Sequence, residues 1–322
     1  MLAVRCVSQS KEDPLSGLSI EEIADPEPPQ GWVAVNIRSA ALNHHDLWSI
    51  KGVGLRSDQL PMTLGTDAAG VLDDGSEVLI YPVIADPDAG GGDETLDPGR
   101  TLFSEKHQGL FSERVIVPER NIVPKPANMS WETAACLPTA WLTAYRMLTT
   151  RSGLSGPAKV LIQGAGGGVA TAAIELAKAL GHTVFVTSRD EERARRALDL
   201  GADACFSSGE KLPTKVDLVI ETVGAATWDH SLRSLRPGGR IVVSGATSGP
   251  NPPSDLNRVF FLQLSVVGST MGTRDELDAL LRFVADAGLE PRVDSVVSLR
   301  DARSHFERMN SGEVFGKLVL SV

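Results

Sequence analysis

The chain has 322 residues, 42% hydrophobic and 22% charged, with a formal net charge of −10. That length supports one or two domains with a full-sized core, and an acidic chain without a basic patch or interleaved aromatics excludes nucleic acid and anionic membranes as partners. Cys6, Cys136 and Cys205 are too few and too scattered for a disulfide framework or a CxxC metal pair; with no signal peptide and no membrane-length apolar run, a soluble cytoplasmic protein is expected.

Residues 1–123 read as short alternating strands, for example 33–37, 70–72 and 77–81, closely punctuated by proline and glycine. This pattern predicts an irregular antiparallel barrel. Within it, residues 86–99 are acidic and glycine-rich, which predicts a mobile surface loop. From 124 to 289, strands at 159–163, 182–187, 216–221, 239–244 and 264–270 alternate with helices at 130–149, 167–180, 190–200, 225–235 and 274–287. That alternation predicts a doubly wound parallel sheet, and the short stretch 203–215 predicts one abbreviated connection. Residues 290–322 return to short strands.

The first of the parallel strands runs into Gly164, Ala165, Gly166, Gly167, Gly168 and Val169, and helical spacing follows to Leu180. Small residues let a backbone approach a pyrophosphate, and the start of a helix supplies free N–H donors with a partial positive charge. The second strand ends in Ser188 and Arg189, where NAD-specific sites usually place an acid for the ribose 2′-hydroxyl. Without that acid, Arg189 and Arg193 would welcome a 2′-phosphate, which favours NADPH over NADH. The competing reading leaves both arginines on the solvated start of the helix 190–200.

Further segments extend this picture: residues 40–48 (with Asn43, His45 and Asp46), 64–70, 123–126, 142–145, 235–240, 268–272 and 316–320. In order and spacing they are similar to the medium-chain dehydrogenase/reductase (MDR) superfamily, specifically its quinone oxidoreductase-like branch. The resemblance implies an α/β protein: a Rossmann doubly wound parallel sheet (124–289) plus a GroES-like irregular β-barrel catalytic domain (1–123 and 290–322), with the active site in the cleft between them. It adds Thr143, Gly245, Ala246, Thr247, Ser269, Thr270 and Met271 to the cofactor-binding residues. Lys317 is assigned either to the cofactor phosphates or to the surface. Alcohol dehydrogenases of the superfamily hold catalytic zinc with cysteine, histidine and a third cysteine or acid. Here those positions are Asn43, Thr66–Asp67 and the neighbourhood of Thr139, which do not supply three good zinc ligands, so no metal is expected.

Without a Lewis acid, alcohol oxidation is disfavoured, whereas an acceptor activated by conjugation needs less help. The reading is therefore a zinc-independent NADPH-dependent oxidoreductase acting on quinones or α,β-unsaturated carbonyls. Asn43 would orient the substrate carbonyl or the nicotinamide. His45, with an unperturbed pKa of ~6.5, would donate the proton unless it is only a hydrogen-bonded loop histidine. Asp46 would serve the site or anchor its loop. The alternative is a catalytically inactive NADPH-binding sensor or structural protein. By resemblance, a homodimer is expected, through the apolar sheet edge at 264–268.

Overall fold

The short alternating segments at the N-terminal end pair into two main sheets, with Val83–Ile84 and Thr101–Leu102 forming a separate pair, in the computed structural model, which describes the whole chain, Met1–Val322. Leu2–Cys6 lies between Leu18–Glu22 and Met62–Thr63 in the smaller one. The larger runs Ile122–Pro124, Glu77–Ile80, Asp67–Leu72, Trp32–Ala41, Lys317–Ser321, Val293–Ser298, with Arg114–Pro118 also paired to Trp32–Ala41. The inward faces bury Val4, Val35, Ile37, Leu64, Phe103, Phe111, Leu318 and Leu320 in one core.

Two expectations for this region change. Residues 86–99 carry anchored turns rather than a free loop. Glu94 is buried, and its Oε1 accepts hydrogen bonds from Tyr81 Oη (3.2 Å), the Arg274 backbone N–H (2.8 Å) and Arg120 Nη2 (3.3 Å). Residues 290–322 also contain a helix, Ala302–Ser311. It buries Ala302, His305, Phe306 and Met309, an i, i+3, i+4, i+7 face hidden between two strands.

A further, six-stranded sheet is wholly parallel, in the order Ala204–Ser207, Thr183–Ser188, Lys159–Ile162, Val216–Glu221, Leu235–Val243, Ser265–Gly268. Ala204–Ser207 is the sixth strand; the segment read as an abbreviated connection thus supplies a short edge strand. Gly168–Ala179 and Glu191–Asp199 follow the first two strands as predicted. Leu256–Phe261 is an added short helix. The predicted helix 130–149 is interrupted: Trp131–Cys136 gives way to a π turn, Leu137–Trp141, before Leu142–Leu148. Pro138 is the cause, because it has no N–H and its ring crowds the preceding turn.

Two compact units result. One comprises Met1–Ala140, Gly272–Val284 and Val293–Val322; the other comprises Trp141–Met271 and Ala285–Arg292. Residues 124–140 and most of the helix Arg274–Ala287 therefore belong with the antiparallel sheets, not with the parallel one. No helix is long and apolar enough to cross a membrane.

Candidate active site

In the parallel-sheet unit, the candidate cofactor residues gather at the carboxyl ends of the strands, where open α/β sheets bind ligands. Gly164 leaves its strand with φ +83°, a left-handed conformation that favours glycine. Gly167 has ordinary dihedrals, and a Cβ built there would meet nothing within 4 Å. Neither backbone nor packing demands glycine at 167, so what the missing side chain leaves is a bare approach to the first turn of Gly168–Ala179. Val169 follows inside that turn.

A chain of buried hydrogen bonds holds this turn from below. Thr187 Oγ1 accepts the Gly164 N–H (3.1 Å) and donates to Gln163 Oε1 (2.8 Å). Gln163 Nε2 donates to Ser231 Oγ (2.9 Å) and to His230 Nδ1 (2.9 Å). Ser231 Oγ donates in turn to Glu221 Oε2 (2.6 Å). Glu221 Oε1 accepts the N–H groups of Val223 (2.8 Å) and Gly224 (3.0 Å), and Thr227 adds its hydroxyl. The loop this organises is zipped to the segment carrying Gly245, Ala246 and Thr247: Thr247 N–H donates to Thr222 O and Ser248 N–H to Val223 O. Sequence reading missed Gln163 and Glu221. Their signal was a polar residue closing an otherwise apolar buried strand.

Ser188 ends its strand buried, with its hydroxyl bonded to Asp190 backbone groups (2.8 and 3.1 Å). Asp190, the nearest acid, is spent capping the next helix by accepting Arg193 N–H at 2.8 Å. Arg189 is exposed beside it. Ser269, Thr270 and Met271 follow the last strand. Ser269 Oγ is buried without a partner, and Met271 adopts φ +49°, a strained conformation for a non-glycine residue. Thr143 is buried within the helix Leu142–Leu148.

The catalytic candidates lie in the other unit, and sheet register assembles them. Ala41 is paired with Asp67 on one side and Val319 on the other, so the chain just beyond Ala41 is flanked by Asp67 and Lys317. Gly65, with φ +103°, lies two residues before the Asp67 strand, against the Phe111 ring. Residues His44–Ile50 form a short helix. Asn43 is its N-cap, and the Asn-x-x-Asp pattern is a capping arrangement, with Asp46 Oδ2 accepting the Asn43 N–H at 2.8 Å. Asp46 is fully buried and anchors this turn.

Asn43 is equally engaged. Its Nδ2 donates to Asp67 Oδ2 (2.8 Å) and lies 3.1 Å from Thr66 Oγ1, while its Oδ1 accepts from Lys317 Nζ (2.6 Å). Lys317 is only 2% exposed, and Nζ also donates to Leu42 O (2.8 Å) and Asp67 Oδ2 (3.1 Å). Thr66 Oγ1 lies 3.2 Å from Thr139 Oγ1. Both ends of the Asn43 amide and all three ammonium protons are therefore used inside the protein. Lys317 is neither a surface residue nor placed to reach phosphates, and Asn43 holds the scaffold rather than a substrate. Burial raises the Asp67 carboxyl, against the pull of Lys317 and Asn43.

His45 remains the titratable group open to chemistry. Its side chain is 20% exposed, and Nε2 lies 3.3 Å from Glu105 Oε1, with Asp46 Oδ1 3.8 Å and Ser104 Oγ 3.5 Å from Nδ1. Burial opposes its charge, but the Asp46 and Glu105 carboxylates prevail and raise it to about 9. Burial likewise opposes the Glu105 charge, yet bonds from His45 and the Leu102 N–H hold that carboxyl below its ordinary range. Ser104 itself has φ +63°, a second strained residue beside a candidate group.

Comparison with known proteins agrees with this architecture. Residues 29–127 match the "Alcohol dehydrogenase GroES-like domain" family and residues 168–286 the "Zinc-binding dehydrogenase" family. An acryloyl-coenzyme A reductase of Metallosphaera sedula is 30% identical over 95% of this chain and 96% of its own. The chain belongs to the MDR superfamily. Among solved structures, an NAD-dependent alcohol dehydrogenase is 34% identical with TM-score 0.91, covering all of both chains. A cobalt- and zinc-bound alcohol dehydrogenase from Pyrobaculum aerophilum is 28% identical with TM-score 0.91, over 100% and 99% of the two chains. This MDR protein is an NAD(P)-dependent oxidoreductase with a GroES-like domain and a Rossmann sheet. The zinc that one of its family names implies does not fit the residues present. Asn43, Thr66 and Thr139 offer an amide and two hydroxyls, Asp67 is paired with an ammonium, and no group of three or more His, Cys, Asp or Glu side chains could hold a metal ion.

Proposed function

We propose that this MDR protein is a zinc-independent, NADPH-dependent reductase of α,β-unsaturated carbonyl compounds, with quinones as further acceptors. The observation that carries the reading is the cluster of Asn43, Thr66, Asp67 and Thr139 around the Lys317 ammonium, a donor set unsuited to the Lewis acid that alcohol oxidation needs. NADPH, when bound, supplies the hydride from its nicotinamide C4. Its adenosine 2′-phosphate is assigned to Ser188, Arg189 and Arg193, supported by the engagement of Asp190 in helix capping. The relative named for acryloyl-coenzyme A reduction supports a conjugated acceptor ahead of a quinone.

In this reading the β-carbon of the enone gains the hydride and the displaced electron pair becomes an enolate. His45 donates the proton that completes the reduction, leaving a neutral imidazole. Asp46 and Glu105 keep the ring charged at neutral pH and favour its reprotonation from solvent. A second copy of the chain is the proposed partner. The strand Ser265–Gly268 has an open edge, and Leu256, Phe260, Phe261 and Val266 beside it in sequence are exposed, Phe261 by 80%.

The test is loss of NADPH absorbance by EDTA-treated protein with enones, enoyl thioesters, quinones and simple aldehydes, and with NADH in parallel. Turnover of conjugated acceptors with NADPH preferred is expected. Alcohol oxidation restored by added zinc would overturn the reading, and tight NADPH binding without oxidation would favour the inactive alternative.

A further inference from the structure

The hydrogen bonds beneath the glycine turn leave only one place for each proton. Glu221 sets their sense. A carboxylate only accepts, and the single hydroxyl proton of Ser231 goes to Glu221 Oε2 at 2.6 Å. Ser231 Oγ therefore meets Gln163, 2.9 Å away, as an acceptor, so the nitrogen of the Gln163 amide must face it. The same nitrogen lies 2.9 Å from His230 Nδ1, which must then offer a lone pair. The far side of the ring gives the same answer independently. His230 Nε2 lies 2.8 Å from the Glu210 carbonyl oxygen, an acceptor only, so Nε2 carries the hydrogen.

From the ring the order runs on to the cofactor turn. With its nitrogen towards His230, Gln163 presents Oε1 to Thr187. The Thr187 hydroxyl donates there at 2.8 Å and accepts the Gly164 N–H at 3.1 Å. Thr187 is fully buried and immediately precedes Ser188, so one hydroxyl ties the glycine turn to the strand end assigned to the 2′-phosphate.

A proton on Nδ1 would break this order, because it would point at the Gln163 amide nitrogen. Flipping the amide gives no relief. Oε1 would then face Ser231 Oγ, whose only proton Glu221 holds, and the Thr187 hydroxyl would lose its acceptor. The charged groups around the half-buried ring are engaged elsewhere. Asp229 and Arg233 on its own helix pair at 3.0 Å, and the Glu210 carboxylate accepts Ser207 N–H at 2.8 Å. Lys215 Nζ donates to Arg233 O, and Glu221 lies behind Ser231.

We propose that His230 is a positioning residue of the nucleotide site, competent only as the neutral ring with its hydrogen on Nε2. Uptake of a proton at Nδ1 releases the Gly164 turn and weakens nucleotide binding. Histidine can change charge within the physiological range, so cofactor affinity follows proton concentration. The inference rests on the nucleotide occupying the glycine turn and holds whichever acceptor is reduced.

The test pairs calorimetric NADP⁺ affinity, from about pH 5.5 to about pH 8.5, with ring-nitrogen NMR of His230 in the nucleotide-free protein. In wild type the Nε2–H tautomer should dominate at the alkaline end. Affinity should fall about tenfold towards acid, with the midpoint of ring protonation. His230→Asn keeps an acceptor oxygen near the position of Nδ1 and does not titrate. At the alkaline end it should bind within about threefold of wild type, and it should lose the histidine-linked fall while keeping any due to the ligand's own 2′-phosphate.

Equal pH dependence in the two proteins, a neutral ring carrying its hydrogen on Nδ1, or tighter binding on ring protonation would overturn the inference while leaving the reductase reading intact. Absence of nucleotide binding at every pH would remove the cofactor reading and this inference with it. Should His230→Asn fail to fold, wild type decides: coincident midpoints of affinity and ring protonation support the inference, and separated midpoints overturn it.

Discussion

Replacing Glu105 with glutamine removes one of the two carboxylates that keep His45 charged while leaving an amide to accept the Leu102 N–H. His45 rises from an ordinary 6.5 to about 9 against the opposing effect of burial. An opposite charge within about 4–6 Å is worth roughly 1–3 pK units, and Glu105 lies 3.3 Å from Nε2. Its removal should therefore lower His45 by about one unit or somewhat more, to about 8. If His45 donates the proton, kcat falls as the imidazolium is lost, and the alkaline limb of the pH profile should move down by the same amount. Stability follows by linkage. A folded pKa above the unfolded one stabilises fully below pH ~6.5 and loses that contribution as pH rises through about 9. The variant should thus be less stable by about 1–2 kcal/mol at acid to neutral pH, converging on wild type above pH ~9. The assays are pH profiles of kcat for both proteins, with urea melts at several pH values. An alkaline limb unmoved in Glu105→Gln, or retained in His45→Gln, would refute the proton-donor assignment.

Other consequences are equally concrete. Ser188→Asp places a carboxylate where the 2′-phosphate is assigned, and should shift the NADPH-to-NADH ratio of kcat/KM by tenfold or more towards NADH, read by steady-state kinetics. Glu221→Gln leaves one acceptor oxygen for donors on Val223, Gly224, Thr227 and Ser231; it should cost about 2–4 kcal/mol in denaturant melts and weaken nucleotide binding by calorimetry. In Gly65→Ala the new Cβ would lie 2.3 Å from the Phe111 ring at φ +103°, a loss of about 3 kcal/mol that a urea titration would register. Val266→Glu, at the open sheet edge, should convert the proposed dimer to monomer in sedimentation, with nucleotide affinity retained.

Local patterning determined a good deal here. Apolar runs alternating with helical spacing specified the parallel sheet, because buried strands and amphipathic helices each need their own periodicity. The glycines after 163 and the missing acid at Ser188 were legible because a strand-to-helix turn is a short-range object. What failed were features set by a single residue against its context or by distant pairing. The π turn at Pro138 broke a helix that composition favoured, and Ala204–Ser207 is too short to announce itself except by lying beside Thr183–Ser188. Lys317 shows the limit most sharply. Nothing within its own segment separates a surface lysine from a phosphate ligand, and neither reading predicted a buried cation. Its partners Asn43 and Asp67 lie 274 and 250 residues away in the chain. Only strand register brings them within hydrogen-bond reach, and burial then compels the charges to pair because no water is left to solvate them.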